Sequence, residues 1–250
     1  MIFLHGGGDN PQIRTDTFGR FVRAATVERS CSLTLIVVEP DPEQARESFD
    51  AYRAIFASLP DPPEQILPLL ISDATPLRPN QLQTLKPTGV FVCGGSTPLY
   101  HRALCSDLDW VSSLQNAGIP YGGTSAGAAI AASQAILGGW QADRAGKTRP
   151  ILFVGASEGL DPLTVSAGLG LVPFAVDVHA SQWGTASRLL HAVDLGLVGA
   201  GWAIDENTVL QVENSTISIY GQGQAYRVWR SGDGSICLKI YHDSDAGSIV

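Results

Sequence analysis

Charge is scarce in this chain. Only 16% of its 250 residues are Asp, Glu, Lys or Arg, against about a quarter in an average globular protein. Cations are scarcer than anions: 16 Lys and Arg against 24 Asp and Glu leave a net charge of −8. A nucleic-acid binder normally carries a basic face and a membrane-surface protein a polybasic stretch, so neither partner is expected. Cysteine is sparse too. Cys31, Cys93, Cys105 and Cys237 form no C-x-x-C pair, and three of them lie in or beside apolar runs. A disulfide framework or zinc site is therefore not expected, and a reducing cytoplasm is the default. No run of about 18 uninterrupted apolar residues is found, so no membrane span is expected. The opening Met1-Ile2-Phe3-Leu4-His5-Gly6 lacks the basic start and apolar length of a signal peptide.

What the chain does have is apolar residues (44%), 27 glycines and 15 prolines. That mixture fits a globular protein of short buried strands joined by tight turns. Ile2–Leu4, Leu33–Val38, Ile66–Leu69 and Val90–Cys93 read as such strands, each bounded by Gly, Pro or Asp. Helices are expected between them. The clearest is Pro42–Ala57, with Asp41 as cap, Pro42 at the first helical position and Gln44 at capping-box spacing. Residues 107–118 read as another, closed by Gly118. Strand–helix alternation implies right-handed crossovers and a parallel sheet covered on both faces, a three-layer α/β fold. From about residue 198 the pattern changes. Val198–Ile204, Thr208–Val212, Thr216–Tyr220, Ala225–Trp229 and Ile236–Tyr241 are separated by Glu-Asn, Gly-Gln-Gly and Gly-Asp-Gly, which is antiparallel turn chemistry. The expectation is one domain over 1–250, in which 198–250 adds antiparallel edge strands.

Gly123-Thr124-Ser125-Ala126-Gly127 fits G-x-S-x-G, the turn that lifts a serine clear of a sheet between a strand and a helix. A short strand (Pro120–Gly122) precedes it, and the Ala-rich segment 126–136 reads as the helix that follows. The bland alternative is a glycine-rich turn with an incidental serine; the strand–turn–helix context favours a nucleophile. Gly94-Gly95-Ser96-Thr97 follows another strand and leaves the same carboxyl edge of a parallel sheet. The Gly95 and Ala126 amides are thus candidates to face one oxygen and stabilise a tetrahedral intermediate. Ser125 needs a base. His179 stands at the end of the Val176–Val178 strand; His101 and His191 fall inside helical segments, His242 in a polar tail, and His5 after the first strand, within reach of the crevice. For the group that orients the base, Asp205 and Glu206 close the Val198–Ile204 strand and Asp177 lies two residues before His179. Adjacent strand residues point to opposite faces, so only one of Asp205 and Glu206 should face the crevice.

Taken together, Val92-Cys93-Gly94-Gly95-Ser96-Thr97, Gly122–Ala129, Gly168-Leu169-Gly170-Leu171-Val172-Pro173 with Asp177-Val178-His179, and Ile204-Asp205-Glu206-Asn207-Thr208 resemble the serine peptidase family of peptidase E and cyanophycinase. The resemblance runs from the first strand to about residue 230. It implies a class I glutamine amidotransferase-like fold, Ser125 as nucleophile, His179 as base, Glu206 as orienting acid, and no metal or cofactor. It also implies a short peptide substrate, with Asp at the N-terminus for peptidase E or β-linked Asp–Arg dipeptides for cyanophycinase. Departures bear on the substrate. Cyanophycinases are expected to carry Gln where this chain has Val178, and arginines where it has Ser181-Gln182-Trp183-Gly184-Thr185-Ala186-Ser187; only Arg188 remains. An acidic substrate needs a fixed cation, so the expected pocket is less cationic than that of a strict Asp-specific enzyme, with Trp183 as an apolar or stacking wall. Ser96, Thr97, Trp183 and Arg188 join Gly94, Gly95 and Ala126 as candidate substrate contacts.

Three rivals remain distinct. An α/β-hydrolase esterase would use His5-Gly6-Gly7-Gly8 as an oxyanion loop and His242 as base, but that loop follows the first strand rather than the third. A glutamine amidotransferase would carry Cys at the elbow, not Ser125. A catalytically inactive relative would bind a peptide or small ligand without turnover. The expectation carried forward is a serine exopeptidase acting on dipeptides or short peptides, with cyanophycinase-like cleavage as the alternative and a homodimer as the base-rate assembly.

Overall fold

A computed structural model describes residues 1–72 and 77–248. The rest of the expected 1–250 domain, residues 73–76 and 249–250, lies outside the described residues. The first half of the chain alternates strand and helix: β1 (Ile2–His5), α1 (Phe18–Ala25), β2 (Ser32–Val38), α2 (Pro42–Ala57), β3 (Gln65–Ile71), α3 (Pro79–Leu85), β4 (Gly89–Val92), α4 (Thr97–Leu104), α5 (Asp109–Asn116) and β5 (Tyr121–Thr124). The five strands are parallel, in the order β1-β5-β4-β2-β3. Sequence dictates the α2 start directly: Asp41 Oδ1 accepts the amides of Glu43 (2.8 Å) and Gln44 (3.0 Å), and Pro42 fills a position that needs no donor.

Period-2 alternation sorts the strand side chains between two cores. Phe3, Leu33, Leu35, Val37 and Phe91 face α1 and α2, where Phe18, Phe21 and Phe56 close a cluster of aromatic rings. Leu4, Ile36, Val38, Val90 and Val92 face the other way, onto Tyr100, Leu104, Trp110 and Leu114 of α4 and α5. Each fully buried aromatic or aliphatic side chain of this kind contributes about 1.5–3 kcal/mol relative to exposure. Helices therefore cover both faces of a mostly parallel sheet.

After β5 comes α6 (Ala126–Ala129), a single turn. The helix expected over 126–136 is not formed beyond it: residues 134–138 are β6 (Gln134–Gly138). Ala131 and Ala132 are fully buried, and their carbonyls accept the amides of Leu171 and Gly170, so tertiary partners replace the helical ones. The chain continues through the hairpin β7 (Gln141–Arg144) and β8 (Lys147–Pro150), then β9 (Thr164–Ala167), which pairs with β6.

β10 (Ala175–Val178), α7 (Ala186–Asp194), β11 (Ala200–Ile204), β12 (Thr208–Glu213), β13 (Thr216–Gly221), β14 (Ala225–Arg230), β15 (Ile236–Tyr241) and β16 (Ala246–Ser248) complete the order. The strands expected after 198 form at the expected places, but they do not all join one sheet edge. β12, β13 and β16 extend the main sheet to eight strands beyond β1, antiparallel. β11, β14 and β15 instead join β10 in a separate four-stranded sheet. The Ile204–Thr208 turn crosses between the two. Among the described residues, no helix is long and apolar enough to cross a membrane.

Candidate active site

Five loops meet at the carboxyl ends of β1, β4, β5, β10 and β11. The loop after β5 is the tightest. Ser125 has φ +51° and ψ −115°, a region that a non-glycine residue occupies only when its surroundings impose it. The imposition is visible in the flanking glycines. A Cβ on Gly123 would stand 2.4 Å from the Gly127 carbonyl oxygen, and a Cβ on Gly127 would stand 2.3 Å from that of Val92. Only glycine at both positions lets the chain reverse this closely. The Ser125 amide donates to the His5 carbonyl (3.1 Å), and Tyr121 Oη donates to the Gly127 carbonyl (2.6 Å), pinning both sides of the turn.

Ser125 Oγ lies 2.9 Å from His179 Nε2, and His179 Nδ1 lies 2.8 Å from Glu206 Oε1. His179 is also held at positive φ, +57°. Its amide donates to the Gly6 carbonyl (2.9 Å) and the Asn207 amide to the Gly7 carbonyl (2.7 Å). The Gly6-Gly7-Gly8 turn thus ties the end of β1 to the loops after β10 and β11. A Cβ on Gly7 would fall 2.2 Å from His179 Cε1, so this turn is the floor under the imidazole. Trp183 closes the other side. Its amide donates to the His179 carbonyl (2.9 Å), and its ring stacks on the imidazole at 4.1 Å and 12°, leaving an exposed edge. A hydroxyl, an imidazole and a carboxylate in hydrogen-bonded series can move a proton off the hydroxyl.

The carboxylates divide sharply. Glu206 meets His179, while Asp205, its neighbour, is buried and accepts the amides of Ser181 (2.8 Å) and Gln224 (2.9 Å). Asp177 is buried against Arg188, which donates through Nε (2.8 Å) and Nη2 (2.6 Å) and gives its Nη1 to the Ala156 carbonyl (2.7 Å). The structure therefore does not bring Arg188 into the cleft. Nor does His5 enter it. His5 is buried, stacked on Phe18 at 4.7 Å, with no partner for Nε2 among the described residues. Burial holds its pKa down at about 3. His101 bonds the Ala167 carbonyl from α4, His191 sits in α7, and the His242 amide donates to Asp245 beyond β15; only His179 reaches Ser125.

In the loop after β4, the Gly94 amide is occupied by Tyr52 Oη (3.0 Å), whose phenol pKa is pushed up by burial. The Gly95 and Ala126 amides have no acceptor among the described residues. Ser96 is exposed at the start of α4. Thr97 is buried and does not line the cleft itself: its amide (3.2 Å) and Oγ1 (3.3 Å) donate to the lining residue Glu158. Glu158 is a residue that sequence patterning missed. It stands in no motif, and nothing local in Ser157-Glu158-Gly159 signals that the segment folds beside Ser125. Tyr52 was legible only as part of the apolar face of α2. Among the described residues no group of three or more His, Cys, Asp or Glu side chains is placed to hold a metal ion.

No family model and no curated protein matches the chain. Solved structures do. A peptidase from an acI-B1 Actinobacterium superposes with a TM-score of 0.69 at 14% identity, over 99% of this chain and 96% of that one. A protein from Listeria monocytogenes EGD-e described as a candidate peptidase E gives 0.53 at 14% identity, over 89% and 98%. The chain shares their fold, a peptidase E-like one.

Proposed function

We propose that this protein is a serine peptidase of the peptidase E type, on a class I glutamine amidotransferase-like fold, hydrolysing dipeptides or short peptides from the N-terminal end. The observation that carries the reading is the unbroken series Ser125 Oγ–His179 Nε2–Glu206 Oε1, at 2.9 and 2.8 Å. Ser125 attacks the scissile carbonyl carbon as His179 Nε2 takes the hydroxyl proton. Glu206 accepts from Nδ1–H, fixing the tautomer that leaves Nε2 free and stabilising the imidazolium. The tetrahedral oxyanion is received by the Gly95 and Ala126 amides, neither of which has an acceptor among the described residues. Collapse expels the amine, which takes its proton from His179, and water then repeats the cycle on the acyl-enzyme. The fold neighbours that carry the word peptidase support the same reaction class.

The roles can be tested by turnover of a dipeptide and short-peptide panel that includes Asp-X and β-Asp-Arg members. Wild type should cleave some members, and Ser125→Ala should lower kcat by about a million-fold, to the assay floor. Residual turnover by Ser125→Ala near the wild-type rate, or no cleavage of any peptide or ester by wild type, would sink the proposal.

A further inference from the structure

Ser125 stands on a partition between two concavities. The smaller, about 150 Å³, lies toward Gly8, Asp9 and Tyr52. The larger, about 430 Å³, is walled by Gly95, Ser96, Gly155, Ala156, Glu158 and Trp183. The second contains Gly95, whose amide is the proposed oxyanion donor, so a carbonyl seated there extends one of its substituents into the larger cleft.

That cleft has one charged wall residue, and it is a carboxylate. Glu158 is partly buried and held by two long hydrogen bonds from Thr97, at 3.2 and 3.3 Å, one on each oxygen. Each oxygen keeps a second acceptor direction free. The backbone of Glu158 sits at φ +58°, an unfavourable conformation for a residue with a side chain, so the neighbouring structure imposes its position. Burial pushes its carboxyl above the ordinary value. The cation that acts on it, Arg188, does not relieve it fully, since its guanidinium is already shared between Asp177 and the Ala156 carbonyl. No Lys or Arg lines this cleft among the described residues. A partly desolvated carboxylate with spare acceptor capacity attracts a cation and repels an anion, and both effects grow as water is displaced.

We infer that the larger cleft selects the acyl-side residue of the substrate by a cationic group that Glu158 accepts. The inference rests on the peptidase reading above and turns its substrate class away from acidic residues. Two sources supply such a cation: the free α-ammonium of an N-terminal residue, or the side chain of Lys or Arg.

Binding to the Ser125→Ala protein, which needs no turnover, separates them. Calorimetry would compare leucinamide, N-acetyl-leucinamide, lysinamide, N-acetyl-lysinamide and aspartic acid α-amide. An α-ammonium site binds leucinamide at least about tenfold more tightly than its acetylated form. A side-chain site binds N-acetyl-lysinamide at least about tenfold more tightly than N-acetyl-leucinamide. Either advantage should vanish in Ser125→Ala/Glu158→Gln, whose side chain keeps the size and an acceptor for Thr97 and whose Tm should match its parent. Equal binding of charged and acetylated amides, tightest binding of the aspartic amide, no detectable binding of any amide, or an advantage that survives Glu158→Gln each overturns the inference. Wild-type turnover of matched dipeptides tells the two readings apart. Turnover without preference for a cation overturns the Glu158 assignment alone, whereas cation-selective binding without turnover overturns the peptidase reading and leaves Glu158 as a ligand site.

Discussion

Ser125 and His179, the proposed nucleophile and base, belong to different parts of the molecule and are held in different ways. Ser125 is positioned by its strand and turn: Gly123 and Gly127 pass closely against backbone, Gly127 against Val92 of β4, the strand paired beside β5. His179 and Glu206 stand on loops of the four-stranded sheet, and their placement depends on partners far away in sequence. The Gly6 and Gly7 carbonyls receive the His179 and Asn207 amides, and a buried Asp177–Arg188 pair stiffens the end of β10 against α7. Ser125 is thus held within the main sheet, whereas His179 reaches it only when the two sheets are correctly joined.

Three experiments sharpen this contrast. The largest effect is expected at the paired carboxylates. Glu206→Gln should leave the fold intact and lower kcat by about ten-thousand-fold, through the wrong imidazole tautomer. Asp205→Ala should instead orphan two amides and cost about 1–3 kcal/mol of stability by denaturant melt. If the two variants exchanged phenotypes, the division between neighbouring residues would be wrong. The next effect is at the ion pair. Arg188→Met leaves Asp177 buried with the Val178 amide but without its cation and should destabilise by about 3–5 kcal/mol, with loss of activity as the base-side loops loosen. Unchanged stability on chemical unfolding would show that the pair does not brace this region.

The smallest effect concerns the nucleophile side and pH. His5 is folded with a pKa near 3, below its ordinary value of about 6.5. Between those values the unfolded chain binds a proton that the folded chain does not. Stability should therefore be unaffected above about pH 6.5 and fall by roughly 1.4 kcal/mol per pH unit as pH drops below it. His5→Phe, which keeps the stacking on Phe18, should flatten that slope. An identical slope in the variant would place the acid sensitivity elsewhere.

Several features were open in the sequence. The α2 cap, the short parallel strands and the antiparallel turns after 198 are each encoded by neighbouring residues, because capping, φ preference and period-2 burial act over a few positions. The Gly-x-Ser-x-Gly elbow is legible in the same way, since its pattern lies within five residues, although Gly127 is also required by the distant Val92 carbonyl. The limits are equally specific. Ala126–Ile136 has the composition of a helix, yet buried Ala131 and Ala132 give their carbonyls to Leu171 and Gly170 and the helix ends after one turn. The strands after 198 carry no mark of which sheet they join, since both sheets offer the same backbone partners.

What the sequence determined by itself is therefore the strand–helix rhythm and the capped helix, which rest on contacts between residues close in the chain, and the glycine pattern of the serine turn, whose fit also needs the distant Val92 and His5 carbonyls. That His179 meets Ser125 and Glu206 rather than Asp205 meets His179 was open to the residue pattern only through a family resemblance, whereas that Arg188 is spent on Asp177 and that Glu158 walls the cleft were decided by tertiary structure alone. Each depends on which distant groups are left unpaired once the two sheets close. Hydrogen-bond satisfaction in a buried site is a property of the assembled neighbourhood and not of any segment within it.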